Sequence, residues 1–227
     1  MDLGFDLIRE KLLSEGLCEV GFSYLTGLLP SHLSRYPYAL TLMFRLSDAV
    51  IEEISDAPTY SYFQHYRAVN AHLDRCALLA GELIRRQEGH YYPIAASQSV
   101  HNLSAKYTGV FQHKTAAVRA GLGFIGRSGL FISSVYGARV RLATVLTDLR
   151  LTEEFLPVQE NGCASCNLCA AACPAGAITG RLYEEGAERS SVFDAEKCSE
   201  FMKKQYRHIG RGAVCGRCVY VCPRGRG

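Results

Sequence analysis

Residues 1–30 of this chain lack the features of a secretory leader, because no basic start is followed by an apolar stretch and a small-residue cleavage site. Nowhere in the 227 residues does an apolar run approach the roughly 18 residues that a membrane-spanning helix needs. These absences argue against a secreted or membrane-embedded protein. We therefore expect a cytoplasmic location without membrane partners, where a reducing environment keeps thiols free.

Acidic residues are missing from a long internal stretch, since no Asp or Glu lies between positions 89 and 147. The formal net charge of +3 is too small to predict nucleic-acid binding. The chain has no low-complexity tract and no Ser/His/Asp or Cys/His set that would indicate hydrolysis. A hydrophobic content of 48% and a charged content of 21% are typical of a globular protein with room for one ordinary and one small domain.

Cysteine, in contrast, is concentrated in the last third of the chain. Eight of the ten cysteines follow the order Cys163-x2-Cys166-x2-Cys169-x3-Cys173-Pro174, then Cys198, then Cys215-x2-Cys218-x3-Cys222-Pro223. The first run matches the bacterial ferredoxin pattern, in which three cysteines hold one 4Fe–4S cluster and the fourth holds the other. Such clusters transfer single electrons, so we expect a redox-active protein.

The same crossing rule assigns the ligands of both clusters. Cluster 1 takes Cys163, Cys166, Cys169 and Cys222, and cluster 2 takes Cys173, Cys198, Cys215 and Cys218. Two zinc sites would also use eight cysteines, but a four-cysteine run that ends in Cys-Pro is a poor match to a zinc ribbon. Cys18 and Cys76 fall outside the pattern, and we expect them to be small buried hydrophobic residues.

Hydrophobic periodicity divides the chain into two parts. It predicts helices over residues 5–15, 59–87 and 113–120, and strands over 17–25, 39–46 and 91–97. Two β-rich runs follow around a hairpin connection at Tyr136-Gly137. We therefore predict a mixed α/β (α+β) domain over residues 1–156 and a small ferredoxin-like double-cluster domain over residues 157–227, joined by a polar linker at 149–162.

A glycine motif precedes the β-rich runs. Gly121-Leu122-Gly123-Phe124-Ile125-Gly126 matches GxGxxG, which binds dinucleotides when it follows a strand and opens a helix. Here a helix-like segment precedes the motif and a strand-like run follows it. The motif therefore predicts either a helix-to-strand turn that needs positive φ or a close approach of bare backbone to a bound cofactor.

Residues 113–149 resemble the core of the epoxyqueuosine reductases, above all in Arg119-Ala-Gly-Leu-Gly-Phe-Ile-Gly126 and Thr144-Val-Leu-Thr-Asp148. The cysteine layout is similar to that of the same family, as are the approach Phe193-Asp-Ala-Glu-Lys-Cys198 and the endings CPAGAIT and CPRG. The resemblance covers roughly residues 60–223. The related reductive dehalogenases share this layout of a corrinoid domain followed by two clusters.

The resemblance implies a base-off cobalamin held between the N-terminal, corrinoid-binding-like domain and the clusters. It implies cofactor binding by Arg119, Gly121, Leu122, Gly123, Phe124, Ile125, Gly126 and Arg127. The chain contains no Asp-x-His-x-x-Gly, the motif that supplies a histidine as lower ligand in other corrinoid proteins.

The position of the family's proton-donating acid falls on Tyr107 and Thr108, and His113 stands where the family usually has another acidic residue. Since dehalogenases of this group use a tyrosine as general acid, we predict Tyr107 as the catalytic proton donor.

Two functions stay open. The first is an oxidoreductase similar to epoxyqueuosine reductase, which acts on epoxyqueuosine in tRNA during queuosine biosynthesis or on another substrate. The second is a non-catalytic electron-transfer protein that docks a partner such as a corrinoid protein. Either function needs a low-potential donor such as ferredoxin or flavodoxin. From Arg181 onward ten Lys or Arg face six Asp or Glu, a balance that suits docking of an acidic donor or of tRNA.

Overall fold

The computed structural model describes residues 4–98, 100, 107–152, 156–212 and 214–225. The helices are α1 (Phe5–Ser14), α2 (Asp48–Glu52), α3 (Tyr60–Arg85), α4 (His113–Arg119), α5 (Leu168–Ala171), α6 (Ala195–Gln205) and α7 (Arg217–Tyr220). The strands are β1 (Glu19–Tyr24), β2 (Tyr38–Arg45), β3 (Tyr91–Ile94), β4 (Gly123–Ile125), β5 (Phe131–Ser133) and β6 (Val140–Thr147). Within the described ranges, no helix combines the length and the apolar character that crossing a membrane requires.

The main sheet has four strands in the order β1-β2-β6-β3, and every neighbouring pair is antiparallel. Successive residues of β2 enter different hydrophobic clusters, because side chains alternate between the two faces of a strand. Leu40 and Leu42 pack in the cluster that contains α1 and α3, whereas Ala39 and Met43 pack in clusters that contain α4. The predicted mixture of helices and strands is confirmed, and the antiparallel pairing makes it α+β.

Helix α3 runs along one face of this sheet and begins where a polar cap satisfies its first turn. The Thr59 hydroxyl accepts a hydrogen bond from the Tyr62 backbone N–H at 3.1 Å, as an N-cap residue does. Its buried residues include Phe63, Leu73 and Ile84, in agreement with the helical periodicity of the sequence. The predicted bounds of 59–87 therefore differ from the structure by only one or two residues at each end.

The predicted hairpin around Tyr136-Gly137 is wrong in its strand pairing. β5 pairs with β4 in a separate two-stranded sheet, whereas β6 lies between β2 and β3 of the main sheet. A tight turn does form there, since Ser133 and Gly137 exchange backbone hydrogen bonds of 2.8 and 3.0 Å. β4 competes successfully for β5 because Gly123 has no side chain to separate the two backbones.

The cysteine-rich part of the chain packs directly on the N-terminal part. Val219 of α7 belongs to the largest hydrophobic cluster, together with residues of α1, α3 and the main sheet. Within the segment predicted as a linker, Leu151 is buried in the same cluster, and its carbonyl accepts a hydrogen bond from the Phe5 N–H at 3.2 Å. The domain boundary at residues 156 and 157 stays a prediction, while the hydrophobic core is continuous across it.

Candidate functional site

The eight cysteines predicted as cluster ligands all lie in the C-terminal part, and the crossing rule divides them into two groups. One group contains Cys163, Cys166, Cys169 and Cys222, and the other contains Cys173, Cys198, Cys215 and Cys218. The first group comes from the loop before α5, from α5 itself and from the end of α7, and α5 and α7 pack against each other. The second group comes from the end of α5, from α6 and from the start of α7. All eight side chains are free thiols in the structure.

Electrostatic effects between the thiols show which ones are neighbours. Burial raises the pKa of Cys169, and the charges of Cys163, Cys222 and Cys166 raise it further. Burial raises the pKa of Cys222 as well, with a further contribution from Cys163 and Cys166. Like charges affect one another's pKa mainly at short range, so Cys169 and Cys222 lie near Cys163 and Cys166.

The second group shows the same behaviour. Burial, followed by the charges of Cys215 and Cys173, raises the pKa of Cys198 to about 11. The pKa of Cys218 is raised by burial and by the charges of Cys215, Cys198 and Cys173. The Cys218 pKa also responds to the charge of Cys169 in the first group, and among the described residues no group of three or more His, Cys, Asp or Glu is arranged to hold a metal ion. The assignment of four ligands to each cluster therefore stays a prediction.

The two groups differ in their distance from solvent. Cys166 is exposed, and the neighbouring Leu168 keeps 52% of its surface in contact with solvent. In the second group, the Cys218 loop packs against Tyr62 of α3, and a Cβ on Gly216 would lie 2.6 Å from the Tyr62 ring. Of these eight cysteines, only Cys166 of the first group is exposed, and all four of the second group are partly buried.

Backbone and side-chain contacts fasten the loop before α5 to β4. The Asn161 amide donates to the Ile125 carbonyl at 2.9 Å, and its oxygen accepts from the Cys163 N–H at 3.0 Å. Arg127 donates to the Ala164 carbonyl at 2.5 Å and also to the Gly180 carbonyl. These contacts fix the first cysteine group relative to the glycine turn.

A cavity of about 460 Å³ lies between the two parts of the chain. This volume falls within the range of about 300–1,000 Å³ that is usual for small-molecule sites. The cysteine-rich part supplies Cys198, Cys215 and Cys218 to its wall, and the N-terminal part supplies residues of α3, α4, β5 and β6. Three of the four thiols of the second group therefore border the cavity.

Polar side chains from the N-terminal part line the same cavity. The His113 Nε2 lies 3.0 Å from the Ala95 carbonyl and its Nδ1 lies 2.9 Å from the Thr144 hydroxyl, so both ring nitrogens have partners. Burial lowers the pKa of His113 to about 4, so the ring is neutral near pH 7. Lys114 follows it, and burial, with a smaller effect of the Arg189 charge, lowers its pKa to about 8.

Tyr107, the predicted proton donor, lies at the edge of the cavity and is held by the cysteine-rich part. Its hydroxyl donates to the Glu200 carboxylate at 2.7 Å and accepts from the Lys203 ammonium at 3.0 Å. Arg189 donates to the Tyr107 carbonyl at 2.8 Å. The backbone of Tyr107 has φ of 59°, a conformation that a non-glycine residue adopts only when its surroundings enforce it.

The glycine turn has a different environment from the one expected for corrin contact. A Cβ on Gly121 would lie 2.5 Å from the Leu156 Cβ, and one on Gly123 would lie 2.0 Å from the Ile132 carbonyl oxygen. A Cβ on Gly126 would meet Ile132 at 2.8 Å and the Cys163 sulfur at 3.3 Å. The space that these glycines leave is thus filled by the chain itself, in a helix-to-strand turn.

The other residues of the predicted cofactor-binding block lie nearby but outside the large cavity. Among the residues that the structure describes, none from Arg119 to Arg127 belongs to its lining. Arg119, Phe124 and Ile125 line a smaller cavity of about 180 Å³, where Arg119 pairs with Glu185. Leu122 packs in the cluster of Met43 and Phe131. The close packing of this block supports the helix-to-strand turn, and its assignment to cofactor binding stays a prediction.

Several residues of the site were not predicted from the sequence. They are Lys114, Arg141, Arg189, Glu200 and Lys203. They come from α4, β6, the turn before α6 and α6 itself, so only the folded chain brings them together. The sequence signal that could have indicated the cationic cavity is the absence of acidic residues between positions 89 and 147.

The cysteine-rich part and the fold can be compared with known iron–sulfur proteins. Residues 162–225 match the model of the 4Fe-4S double cluster binding domain. The chain is 33% identical over 129 residues to an epoxyqueuosine reductase of Lactococcus garvieae, which is 53% of this chain and 34% of that protein. It is 38% identical over 121 residues to a tetrachloroethene reductive dehalogenase of Desulfitobacterium hafniense, or 47% of this chain and 21% of that one. These matches span 34% and 21% of the two relatives' lengths.

Solved structures show the same fold. A catabolic reductive dehalogenase superposes with a TM-score of 0.76 at 20% identity, over 96% of this chain and 31% of that one. An epoxyqueuosine reductase superposes with a TM-score of 0.61 at 20% identity, over 98% and 65% of the two chains. The chain is a distant relative of the epoxyqueuosine reductases and reductive dehalogenases, and it carries their double-cluster domain.

Proposed function

We propose that this protein is a corrinoid-dependent iron–sulfur reductase whose cavity is the site of reaction. The observation that carries the proposal is that Cys198, Cys215 and Cys218 border the cavity, so electrons held by cluster 2 are next to whatever occupies it. The exposure of Cys166, a predicted ligand of cluster 1, supports electron entry there from a low-potential donor such as ferredoxin or flavodoxin. Thiolates bind iron in such clusters, and the two groups of four thiols supply the required ligands.

The cavity suits a corrinoid that takes no nitrogen from the protein. His113 borders it, but both of its ring nitrogens are already hydrogen-bonded within the fold. The structure of a related reductive dehalogenase suggests a mechanism for B12-dependent dehalogenation, and this likeness supports the same cofactor here. A base-off corrinoid would supply reductive chemistry at cobalt, and the residues around the cavity would bind it and exclude water.

Tyr107 is the proposed proton donor for the reduced substrate. Its hydroxyl is fixed by Glu200 and Lys203, so it has a defined orientation at the cavity edge. Its contacts with α6 also connect it to the helix that carries Cys198. The chain therefore holds the donor and cluster 2 on one structural unit.

The relatives suggest two kinds of substrate. One epoxyqueuosine reductase structure contains an epoxyqueuosine-modified tRNA stem loop, and one dehalogenase structure contains 3-bromo-4-hydroxybenzoic acid. Both relatives are named for a reductive reaction, one as a reductase and one as a reductive dehalogenase. We propose that this protein performs a reductive reaction of that type, with epoxyqueuosine tRNA as the first substrate to test.

A second candidate is an electron carrier that docks a corrinoid protein. The exposure of Cys166 and Leu168 favours it, because a carrier exchanges electrons through its surface. The two candidates differ in what fills the cavity. A reductase binds free cobalamin there, whereas a carrier reduces a partner protein without binding cobalamin itself.

The deciding experiment is a titration of the anaerobically reconstituted protein with cob(II)alamin, followed by EPR. We expect the cobalt signal to lose its axial-nitrogen splitting as base-off cobalamin binds. Ser97→Trp, which fills an exposed part of the cavity wall, should prevent binding, and Ser34→Trp on a remote turn should not. An unchanged cobalt signal beside two intact clusters would reject the reductase in favour of the carrier.

A further inference from the structure

The large cavity is lined by basic side chains and, among the described residues, by no acidic one. Lys114, Arg141 and Arg189 all belong to its lining, and no Asp or Glu of the described residues does. The wall also carries six Tyr and Phe rings, which are those of Tyr62, Tyr66, Tyr107, Phe111, Phe131 and Phe193. The cavity thus offers cations and flat apolar surfaces to a ligand, but no carboxylate.

Lys114 has the fewest partners of these cations. Its ammonium donates to the Gly129 carbonyl at 3.0 Å. Within the described ranges, no carboxylate lies within ion-pair distance of it and no other hydrogen bond to it is formed. A largely buried cation without a counter-charge is costly, because burial removes the water that would otherwise stabilise it. An anion in the cavity would remove that cost.

Arg141 is held in one orientation toward the same space. Its Nε donates to the Asn70 side-chain oxygen at 3.0 Å, and its Nη2 donates to the Ala96 carbonyl at 3.1 Å. Its guanidinium lies 4.3 Å from the centre of the Tyr66 ring. All of these contacts are with neutral groups, so its positive charge is oriented but not neutralised by them.

We propose that the ligand of this cavity carries an anionic oxygen group, a carboxylate or a phosphate, and that Lys114 binds this group. The proposal rests on the proposed function, since it specifies the substrate class of the same cavity. Arg141 contributes charge from a fixed position, and the aromatic walls favour a planar ligand. An anionic aromatic compound therefore fits the cavity better than its neutral counterpart.

The test compares two ligands that differ mainly in charge. The cluster-reconstituted full chain, without cobalamin, is titrated calorimetrically with benzoate and with benzamide. We expect benzoate to bind at least about tenfold more tightly, since a hydrogen bond from a charged donor in a desolvated site is worth that much. Lys114→Gln should abolish the preference and Lys114→Arg should retain it, while Lys11→Gln on α1 should have no effect.

Inorganic phosphate distinguishes the two sources of the anionic group. If phosphate binds to the wild type but not to Lys114→Gln, and benzoate does not bind, the site takes a phosphate group and the proposal is supported. Equal affinities for benzoate and benzamide without phosphate binding would overturn it. The anion-site proposal would also be overturned if Lys114→Gln bound benzoate as tightly as the wild type, whatever the iron content of the variant.

Cobalamin binding is measured in parallel by EPR, so the two proposals fail separately. A preference for benzoate in a protein that does not bind cobalamin would reject the proposed function and keep the anion site. Cobalamin binding without any preference for an anion would reject the anion site and keep the proposed function.

Discussion

Replacing Gly123 by alanine tests whether the glycine turn is a packing feature or a cofactor cradle. In the structure, a Cβ at this position would lie 2.0 Å from the Ile132 carbonyl oxygen. Because ordinary van der Waals contacts are about 3.5 Å, strand β5 would have to withdraw by more than about 1 Å. That movement disrupts the short ladder in which Gly123 opposes Ser133 and Phe124 opposes Ile132.

The expected cost follows from this overlap. Inserting a methyl group into a packed region lowers the free energy of unfolding by about 1–3 kcal/mol. Because the obstacle at Gly123 is backbone, which cannot rotate away, we expect Gly123→Ala to cost about 2–3 kcal/mol. For a chain of this size, such a change lowers the melting temperature by about 4–12 °C. The melting temperature is measured by circular dichroism under nitrogen, on samples with equal iron content.

Gly109→Ala is the matched control, because its Cβ would make an ordinary contact of 3.4 Å with Gln98 while projecting from the wall of the large cavity. We expect it to keep the melting temperature within about 2 °C of the wild type. The cobalamin affinity of Gly123→Ala, measured about 20 °C below its melting temperature, should equal that of the wild type. An unchanged melting temperature together with weakened cobalamin binding would refute the packing explanation.

Two further predictions concern the clusters and the proton donor. Cys166→Ala and Cys218→Ala should each lose about half of the iron and acid-labile sulfide, because each removes a ligand of a different cluster, whereas Cys76→Ala should keep all of it. Full iron in either ligand variant would contradict the ligand assignment. Tyr107→Phe should lower turnover of an epoxyqueuosine-modified tRNA stem loop by about 100-fold or more while keeping iron and cobalamin, since it removes the general acid. Tyr60→Phe, which also removes an exposed hydroxyl, is its control, and equal turnover in both variants would exclude Tyr107 as the donor.

The sequence predicted those features that depend on local spacing. Helix α3 was found almost to the residue, because its period of buried side chains and the capping Thr59 are encoded in neighbouring positions. The double-cluster domain was also predicted, since the cysteine spacing is local, and residues 162–225 match the model of that domain. Such features can be predicted because they depend on residues that are close together in the sequence.

Features that depend on distant partners could not be read in the same way. GxGxxG shows that something approaches bare backbone at Gly123, but not that the partner is the carbonyl of Ile132. The pairing of β5 with β4 instead of β6 has the same origin, since both neighbours have strand-forming sequences. Lys114 and Lys203 belong to the cavity and to its edge only because α4 and α6 meet there.

The most direct test of the account is whether electrons held by cluster 2 reach the cavity. The reconstituted protein is reduced, freed of excess reductant under nitrogen, and mixed with cob(II)alamin, and the cobalt EPR signal is followed over time. The account predicts that the signal disappears in the wild type and in Cys76→Ala but persists in Cys218→Ala, whose missing ligand borders the cavity. Equal loss of the cobalt signal in Cys218→Ala and the wild type would contradict the account.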